Sequence, residues 1–308
     1  MKTLLLLIPL LPAAVIAQGT LNPALSPAPS MKTLGEMEGR TPILTLPLTI
    51  GAAGSYYFTK DLLFAGAGNA ITITASNVAI DLGGFRLQSS AAVTGRAISI
   101  DPNLSGIRIK NGMIAGTTTV SVAGLFPSRN WTISPGGFAN GIFGDTCNSC
   151  EFSDLIIEGC RMDGMDLGGC NLLDQIISHD NGGYGIDTND SGNRIANCTA
   201  YENGATGIYS NYGVVTGCTA VDNGTQGFAT LRGVILGCVG RENKLDGIIA
   251  GESVIANCTA QFNGRNGIDA NGANLSLSTA GSNNQQGAGG VDVVGTGGAV
   301  RYGNFPTP

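Results

Sequence analysis

The sequence of 308 residues contains one histidine and one tryptophan, and only 12% of its residues are charged. A zinc site of the common types needs paired CxxC or His motifs, and a single CxxC is present, from Cys147 to Cys150. The net charge of -6 argues against nucleic acid as a partner. No apolar run is long enough to span a bilayer, so no membrane span is expected.

The first 17 residues have the pattern of a secretory signal peptide. Lys2 supplies the positive charge, residues 4–11 form a short apolar run, and residues 15–17 form a small-residue cleavage site. Residues 18–40 are rich in Pro, Ala and Ser and predict a linker with little to bury. The mature protein is therefore expected to be exported, either secreted or displayed at the cell surface.

A repeat organises residues 191–290, which divide without a gap into five lines of 20 residues. A fixed period of this length indicates a stack of similar supersecondary units. Helical repeats are longer, and leucine-rich repeats need Leu in columns that lack it here, so a parallel β-helix remains. Three of the aligned columns are Ile195, Val215, Ile235, Ile255, Leu275; Cys198, Cys218, Cys238, Cys258, Ser278; and Asn203, Asn223, Asn243, Asn263, Asn283.

The β-helix interpretation gives each column a physical meaning. Successive coils lie about 4.8 Å apart, so a column becomes a row of like side chains in contact. Ile on Ile and Cys on Cys fill a narrow core, and Asn on Asn can form an amide hydrogen-bond ladder. We expect turns with positive φ at Asn197 and at Asn203-Gly204 in the first line. Because side chains fill the interior, a ligand must bind outside.

The pattern IxNCTAxxNGxxGI, clearest in residues 251–270, resembles the parallel β-helix repeats of the pectin-lyase-like superfamily, including uncharacterised secreted bacterial members. The resemblance implies an all-β fold, a single-stranded right-handed parallel β-helix of roughly ten coils over residues 41–308. A solenoid grows without a second core, so one elongated, monomeric domain is expected. The superfamily contains lyases, hydrolases, epimerases and non-catalytic surface proteins, so the resemblance fixes no function.

Two segments depart from the coil pattern. Residues 41–70 resemble the opening segment of such proteins and predict an N-terminal cap, with short strands paired around a Gly-Ser turn. Residues 116–140 interrupt the coils and carry Trp131, which predicts an insertion loop on one face. This loop either takes part in binding or packs Trp131 onto the coil beneath it.

The eight cysteines fall into two groups. The four in the repeat share a column with Ser278, which predicts stacked free thiols that point inward. The other four lie outside the column, and one disulfide among them remains an alternative in an oxidising compartment. These four are Cys147, Cys150, Cys160 and Cys170.

An acidic column immediately precedes the repeated Asn and contains Asp180, Glu202, Asp222 and Glu242. Neighbouring carboxylates about 5 Å apart repel by about 1 kcal/mol in water, so the row is expected to be hydrated or to attract cations. It could bind Ca²⁺ or accept hydrogen bonds from sugar hydroxyls, and the alternative is a solvated edge that discourages aggregation. No other cofactor is predicted, and no residue is assigned as a metal ligand.

Residues 184–190 resemble the YG(F/I)DPHD signature of the β-helical alginate epimerases. Tyr184, Asp187 and Asp190 match it, together with the intervening Gly-Ile, but Thr-Asn stands where the signature has Pro and the catalytic His. The single histidine, His179, lies upstream. The candidate substrate-binding residues are therefore Trp131, His179, Asp180, Asp187, Asp190, Glu202, Asp222 and Glu242.

Two functions remain open at this stage. The absence of a complete catalytic signature favours an exported polysaccharide-binding or structural protein. The alternative is a polysaccharide lyase, epimerase or glycoside hydrolase that acts in a groove along the coils, with paired carboxylates. A cleft with two convergent carboxylates, or a carboxylate cluster beside an Arg, would favour the enzyme.

Overall fold

The computed structural model describes residues 39–126, 128–285, 287, 293–295, 301–302 and 305–307. The predicted signal peptide and nearly all of the predicted linker lie outside the described residues. No helix that could cross a membrane occurs in the described part of the chain.

The described residues form 33 short strands. In chain order they are β1 (Thr41–Ile43), β2 (Leu48–Ile50), β3 (Gly54–Phe58), β4 (Leu62–Phe64), β5 (Ile71–Ile73), β6 (Val78–Asp81), β7 (Arg86–Ser89), β8 (Ile98–Ile100), β9 (Arg108–Ala115), β10 (Thr119–Ala123), β11 (Asn130–Ser134), β12 (Ile142–Gly144), β13 (Glu151–Glu158), β14 (Met165–Leu167), β15 (Leu172–His179), β16 (Ile186–Thr188), β17 (Arg194–Ala196), β18 (Thr199–Tyr201), β19 (Ile208–Ser210), β20 (Val214–Thr216), β21 (Thr219–Val221), β22 (Phe228–Leu231), β23 (Val234–Leu236), β24 (Val239–Arg241), β25 (Ile248–Gly251), β26 (Val254–Ala256), β27 (Thr259–Gln261), β28 (Ile268–Asp269), β29 (Asn274–Ser276), β30 (Thr279–Gly281), β31 (Val293–Val294), β32 (Arg301–Tyr302) and β33 (Phe305–Thr307).

These strands form a parallel β-helix. Each coil contributes one strand to an 11-stranded sheet, here sheet 1, and one or two strands to a 20-stranded sheet, here sheet 2. Sheet 1 contains β2, β5, β8, β12, β14, β16, β19, β22, β25, β28 and β31. Its 11 strands correspond to 11 coils, against the roughly ten predicted. The exception to parallel pairing among the described strands is the antiparallel hairpin of β10 and β11, which lies within the predicted insertion.

The 20-residue repeat sets the register between coils. Val214 pairs with Val234, which pairs with Val254, and that residue pairs with Asn274. The residue that follows each of these belongs to the column from Ile195 to Leu275. Every member of that column is at most 2% exposed, so the column fills the core. The predicted rows of like residues are therefore confirmed, because a constant coil length keeps equivalent residues in register.

The cysteine column stacks inside the coils as predicted. The amide of Cys198 donates to Sγ of Cys218 over 3.4 Å, and all eight cysteines are free thiols in this structure. Contact with the neighbouring thiol and burial raise the pKa of Cys218 to about 12, and the same causes act on Cys238. These thiols stay protonated and behave as small apolar side chains.

The asparagine column forms the predicted amide ladder. Nδ2 of Asn203 donates to Oδ1 of Asn223 over 3.0 Å, and Asn223 donates in the same way to Asn243. Each Oδ1 also accepts the backbone N–H of the preceding Asn, and the second Nδ2 hydrogen of Asn223 goes to the carbonyl of Ala200. The ladder therefore satisfies buried polar groups at every coil.

The prediction that Asn203 supplies the positive φ of its turn is wrong. The residue before it does so: Glu202 has φ 52°, and Asp222 and Glu242 have 58° and 57°. Asn203 is fully buried because its side chain is held by the ladder. The positive φ therefore falls on the acidic residue before it, whose side chain takes no part in the ladder. The predicted positive φ at Asn197 is confirmed, at 53°.

The N-terminal strands belong to the coil ladders. β1 pairs in parallel with β3, and β2 pairs in parallel with β5 of the next coil. The expectation that these strands pair around the Gly54-Ser55 turn is therefore wrong, because each finds its partner one coil away. A capping role for residues 41–70 stays a prediction.

Candidate functional site

A row of outward-facing residues runs along sheet 1. In β12, β14 and β19 the flanking residues are buried and the middle residue is partly exposed, whereas in β8 and β16 the middle residue is buried as well. The strand pairing aligns these middle residues in successive coils, so they lie about 4.8 Å apart. From β8 to β28 the row is Ser99, Phe143, Asp166, Asp187, Tyr209, Ala229, Ile249 and Asp269.

Two carboxyl groups are neighbours in this row. Asp166 in β14 pairs with Asp187 in β16. Asp187 is only 7% exposed, and its Oδ1 has no hydrogen-bond partner among the described residues. A third carboxyl, Asp163, lies at the corner before β14 and accepts a 2.7 Å hydrogen bond from the amide of Tyr184. The row therefore contains an acid pair in which one buried carboxyl oxygen has no hydrogen-bond partner.

Burial and mutual repulsion raise the pKa values of this pair. Burial, followed by the charges of Asp166 and Asp163, raises the pKa of Asp187 to about 7, although a hydrogen bond from Asn189 opposes the shift. Burial, Asp163 and Asp145 raise the pKa of Asp166 to about 6. Near neutral pH the pair therefore holds about one proton, so one carboxyl can donate while the other accepts. Acids whose pKa values are raised by burial and by neighbouring charges are characteristic of functional sites.

Aromatic and cationic side chains flank the pair. The rings of Tyr184 and Tyr209 lie 5.7 Å apart on one side. Burial and the nearby Asp187 raise the pKa of Tyr184, so its phenol stays protonated. On the other side the guanidinium of Arg96 lies 3.2 Å from the ring centroid of Phe143 and acts to lower the pKa of Asp166. Proton donors, proton acceptors and a cation thus surround the acid pair.

The structure divides the candidate residues predicted from the sequence. Asp187 lies in the row, whereas Asp190 is in an exposed turn, where its carbonyl accepts a 2.7 Å hydrogen bond from Asn193. Four of the other six directly follow β15, β18, β21 and β24 at one corner of the coils, His179 ends β15, and Trp131 lies in β11 of the hairpin beside them. We call these six the corner group: Trp131, His179, Asp180, Glu202, Asp222 and Glu242.

Sequence reasoning missed Asp163, Asp166, Tyr209 and Arg96. A signal for Asp166 was present: Gly164-Met165-Asp166 repeats the Gly185-Ile186-Asp187 corner 21 residues earlier. Aligning those two corners would have placed the carboxyls in adjacent coils. Arg96 gave no signal, because it lies outside the regular repeat.

The hairpin of β10 and β11, which carries Trp131, packs on the acidic residues of the corner group. Arg129 forms ion pairs with Asp222 and with Glu242, the latter at 2.9 Å. Nε1 of Trp131 donates to the carbonyl of Asp222 over 2.8 Å, and Nζ of Lys244 lies 5.6 Å from the Trp131 ring. The acidic row is thus paired and covered there, which corresponds to the alternative in which the insertion packs onto the coil beneath it.

Electrostatics within the corner group follow from Arg129. Its hydrogen bond lowers the pKa of Glu242, whereas burial raises the pKa of Asp222 to about 6 against the attraction of the same arginine. In the part of the chain that the structure describes, no three His, Cys, Asp or Glu side chains are grouped to hold a metal ion. The corner group therefore presents an ion-paired junction between hairpin and coils.

His179 is held within this junction. Its Nδ1 lies 2.8 Å from Oδ2 of Asp180, and its Nε2 lies 3.4 Å from Oε2 of Glu158. The ring stacks on Tyr201 with centroids 4.5 Å apart. Both ring nitrogens are engaged, so the contacts of His179 fix its ring between two coils.

Replacing Arg129 with Ala should loosen the hairpin. Asp222 and Glu242 would lose their shared cation, which we expect to cost about 2 kcal/mol. Trp131 is the single tryptophan, so its fluorescence emission should shift to the red, and the hairpin should become sensitive to limited proteolysis. Arg108→Ala is the control, because the Arg108–Glu151 pair is largely exposed. Unchanged Trp131 emission in the variant would contradict the assignment.

The coil architecture identifies the class of protein. Residues 140–305 match the family described as right handed beta helix region, which is more than half of the chain, and the protein belongs to that family. Its fold is a right-handed parallel β-helix of the pectin-lyase-like type. A search of curated proteins finds no match.

Three solved structures share the fold. The A-module of the mannuronan C-5 epimerase AlgE4 of Azotobacter vinelandii is 15% identical over 83% of each chain, with a TM-score of 0.52. The Dettilon tailspike protein is 16% identical over 86% of this chain and 59% of its own, with a TM-score of 0.61. Pectate lyase Pel9A is 16% identical over 70% of this chain and 62% of its own, with a TM-score of 0.51. The chain therefore spans about six tenths of the latter two, and at these identities the likeness shows the fold alone.

Proposed function

We propose that this protein is an exported enzyme that cleaves a polysaccharide, with Asp166 and Asp187 as its acid and base pair. The observation that carries the proposal is the pair itself: two adjacent carboxyls in an outward row whose pKa values are raised to about 6 and about 7. Such values suit general acid and base catalysis near neutral pH. The names of two structural neighbours, a mannuronan epimerase and a pectate lyase, support a polysaccharide as the substrate.

The charge around the acid pair favours hydrolysis of a neutral glycan. Asp163, Asp166 and Asp187 together would stabilise the positive charge of an oxocarbenium-like transition state. The same carboxyls would repel a polyuronate and its anionic intermediates. The paired carboxyls therefore favour a glycoside hydrolase, whereas the sequence alone favoured a non-catalytic binding protein.

The pairing assigns a role to each carboxyl. Asp187 has the higher pKa and donates its proton to the glycosidic oxygen as that bond breaks. Asp166, ionised at the same pH, bonds to the anomeric carbon, and a water deprotonated by Asp187 then releases the sugar. Adjacent strands are about 4.8 Å apart, close to the carboxyl separation of about 5–5.5 Å that is typical of retaining enzymes.

A uronate epimerase or lyase is the second candidate. Tyr184 lies three residues before Asp187, as in the epimerase signature, and its protonated phenol could return a proton to a sugar carbon. Arg96 could then pair with the substrate carboxylate.

A polysaccharide panel tests the proposal. Purified mature protein would be incubated with neutral and uronic-acid polysaccharides, and reducing ends, unsaturated products and uronate composition would be followed together. New reducing ends without unsaturation are expected. Unsaturated products or altered uronates would favour the second candidate. Retardation in glycan gels without turnover would leave a binding module, and no change in any assay would overturn the proposal.

The rate of cleavage should have a bell-shaped dependence on pH. Below about pH 6 both carboxyls are protonated and no base remains, and above about pH 7 both are ionised and no acid remains. The maximum of kcat/KM is therefore expected between about pH 6 and 7. A rate that keeps rising through pH 8 would exclude the pair from catalysis.

Export is supported by the leader pattern of residues 1–17 and the linker that follows it. A monomer is supported by the solenoid, whose core closes within one chain.

A further inference from the structure

We propose that the depression around Ala229 is a subsite that binds one neutral sugar ring of a glycan lying along the row on sheet 1. The inference rests on the proposed function, because the depression lies on the same row as the acid pair. It concerns binding, so it can be tested without turnover.

The depression arises from one small residue in the row. Ala229 lies between Tyr209 and Ile249, and the resulting pocket has a volume of about 280 Å³. This is close to the lower end of ligand pockets, about 300–1,000 Å³, and leaves room for a single ring. Tyr209 pairs with Asp187, so the pocket continues directly from the acid pair.

The lining suits a pyranose ring. Ile249 and Leu231, the latter 40% exposed, offer apolar contact to one face of a ring. Asn211 is fixed by two hydrogen bonds: its Nδ2 donates to the Tyr209 hydroxyl over 2.7 Å, and its Oδ1 accepts from the amide of Leu231 over 3.1 Å. Apolar walls with a few fixed polar groups are the usual composition of a small-molecule site.

The charge of the lining indicates a neutral sugar. Asp269 closes the pocket, and no Lys or Arg is among the described residues that line it. The nearest cation along the chain, Arg232, follows Leu231, and its Nε lies 2.7 Å from Oε2 of Glu252. Arg265, four residues before Asp269, is bound to the buried Asp246, so both cations already have a carboxylate partner. Burial and Asp246 raise the pKa of Asp269, and this carboxyl can exchange hydrogen bonds with sugar hydroxyls.

The position of the pocket sets the direction of the glycan. Ala229 lies two coils from Asp187, about 10 Å along the row at the spacing of parallel strands. One coil advances by nearly the length of one pyranose unit in an extended glycan. The subsite would therefore hold the second sugar from the bond that is cleaved, and Tyr209 would lie under the first.

Affinity gel electrophoresis tests the subsite. Asp187→Asn protein, which cannot cleave, would be run in gels with xylan, galactomannan, β-glucan or dextran, and with alginate or polygalacturonate. We expect retardation by at least one neutral glycan and none by the polyuronates. Adding Ala229→Trp should fill the pocket and weaken the retardation at least tenfold. Ala256→Trp is the matched control, because Ala256 faces outward from sheet 2 in the next coil. The protein with Asp187→Asn and Ala256→Trp should be retarded as strongly as the protein with Asp187→Asn alone.

The outcomes separate this inference from the proposed function. Retardation that Ala229→Trp abolishes supports the subsite even if the wild type cleaves nothing, and in that case only the enzymatic proposal fails. Equal retardation of the Ala229→Trp and Ala256→Trp proteins would overturn the subsite, as would retardation by polyuronates alone or by no glycan.

Discussion

Asp187→Asn should lower kcat by at least about a thousandfold and should make the protein more stable above pH 7. The loss follows because Asn cannot donate the proton to a leaving group, and general acid catalysis contributes about 10²–10⁴-fold. Asp190→Asn is the matched control: both residues match the same short signature, but Asp190 is in an exposed turn. It should retain wild-type activity, and equal losses in the two variants would refute the role of Asp187.

The gain in stability follows from the raised pKa. The pKa of Asp187 is about 7 in the folded protein and about 3.9 in an unfolded chain, so the folded state binds more protons between these values. Stability from this group is full below about pH 4 and is lost as pH rises to about 7. Asn carries no charge, so the variant should exceed the wild type by about 1–4 kcal/mol at pH 8. Urea unfolding at pH 5 and pH 8 measures the difference, which should be larger at pH 8.

Asn223→Ala should destabilise the protein by about 3–5 kcal/mol, the second large effect. The side chain of Asn223 accepts from the amide and the Nδ2 of Asn203 and donates to Asn243 and to the carbonyl of Ala200. Its removal leaves several buried polar groups without partners, each at a cost of about 1–3 kcal/mol. Since coils contact only their neighbours, the break should weaken the solenoid on both sides.

Asn274→Ala is the control for the ladder. Asn274 is an exposed strand residue of the repeat, so its replacement should change stability by less than about 0.5 kcal/mol. Chemical unfolding followed by circular dichroism compares the two variants. If Asn223→Ala loses no more stability than Asn274→Ala, the ladder does not stabilise the coils.

The sequence by itself determined the coil architecture. Within the repeat of residues 191–290, residues 20 positions apart stack in adjacent coils. The rows that contain Ile195, Cys198 and Asn203 could therefore be predicted from the sequence. The reason is local: with a constant coil length, position in the line decides position in the cross-section. The turn at Glu202 shows the limit, because the ladder takes Asn203 inward and moves the positive φ to its neighbour.

Only the tertiary structure decided where the chemistry lies. Asp166 and Asp187 belong to coils of 21–23 residues outside the strict repeat, so their pairing depended on the actual register. Their pKa values depend on burial and on Asp163, which no pattern in the sequence shows. The hairpin that carries Arg129 contacts Glu242, 113 residues later, because coils stacked at about 4.8 Å bring distant positions under one loop. The repeat predicts which residues of adjacent coils contact each other, because equivalent positions stack. The candidate site depends on contacts between positions that are not equivalent, and the repeat does not predict those.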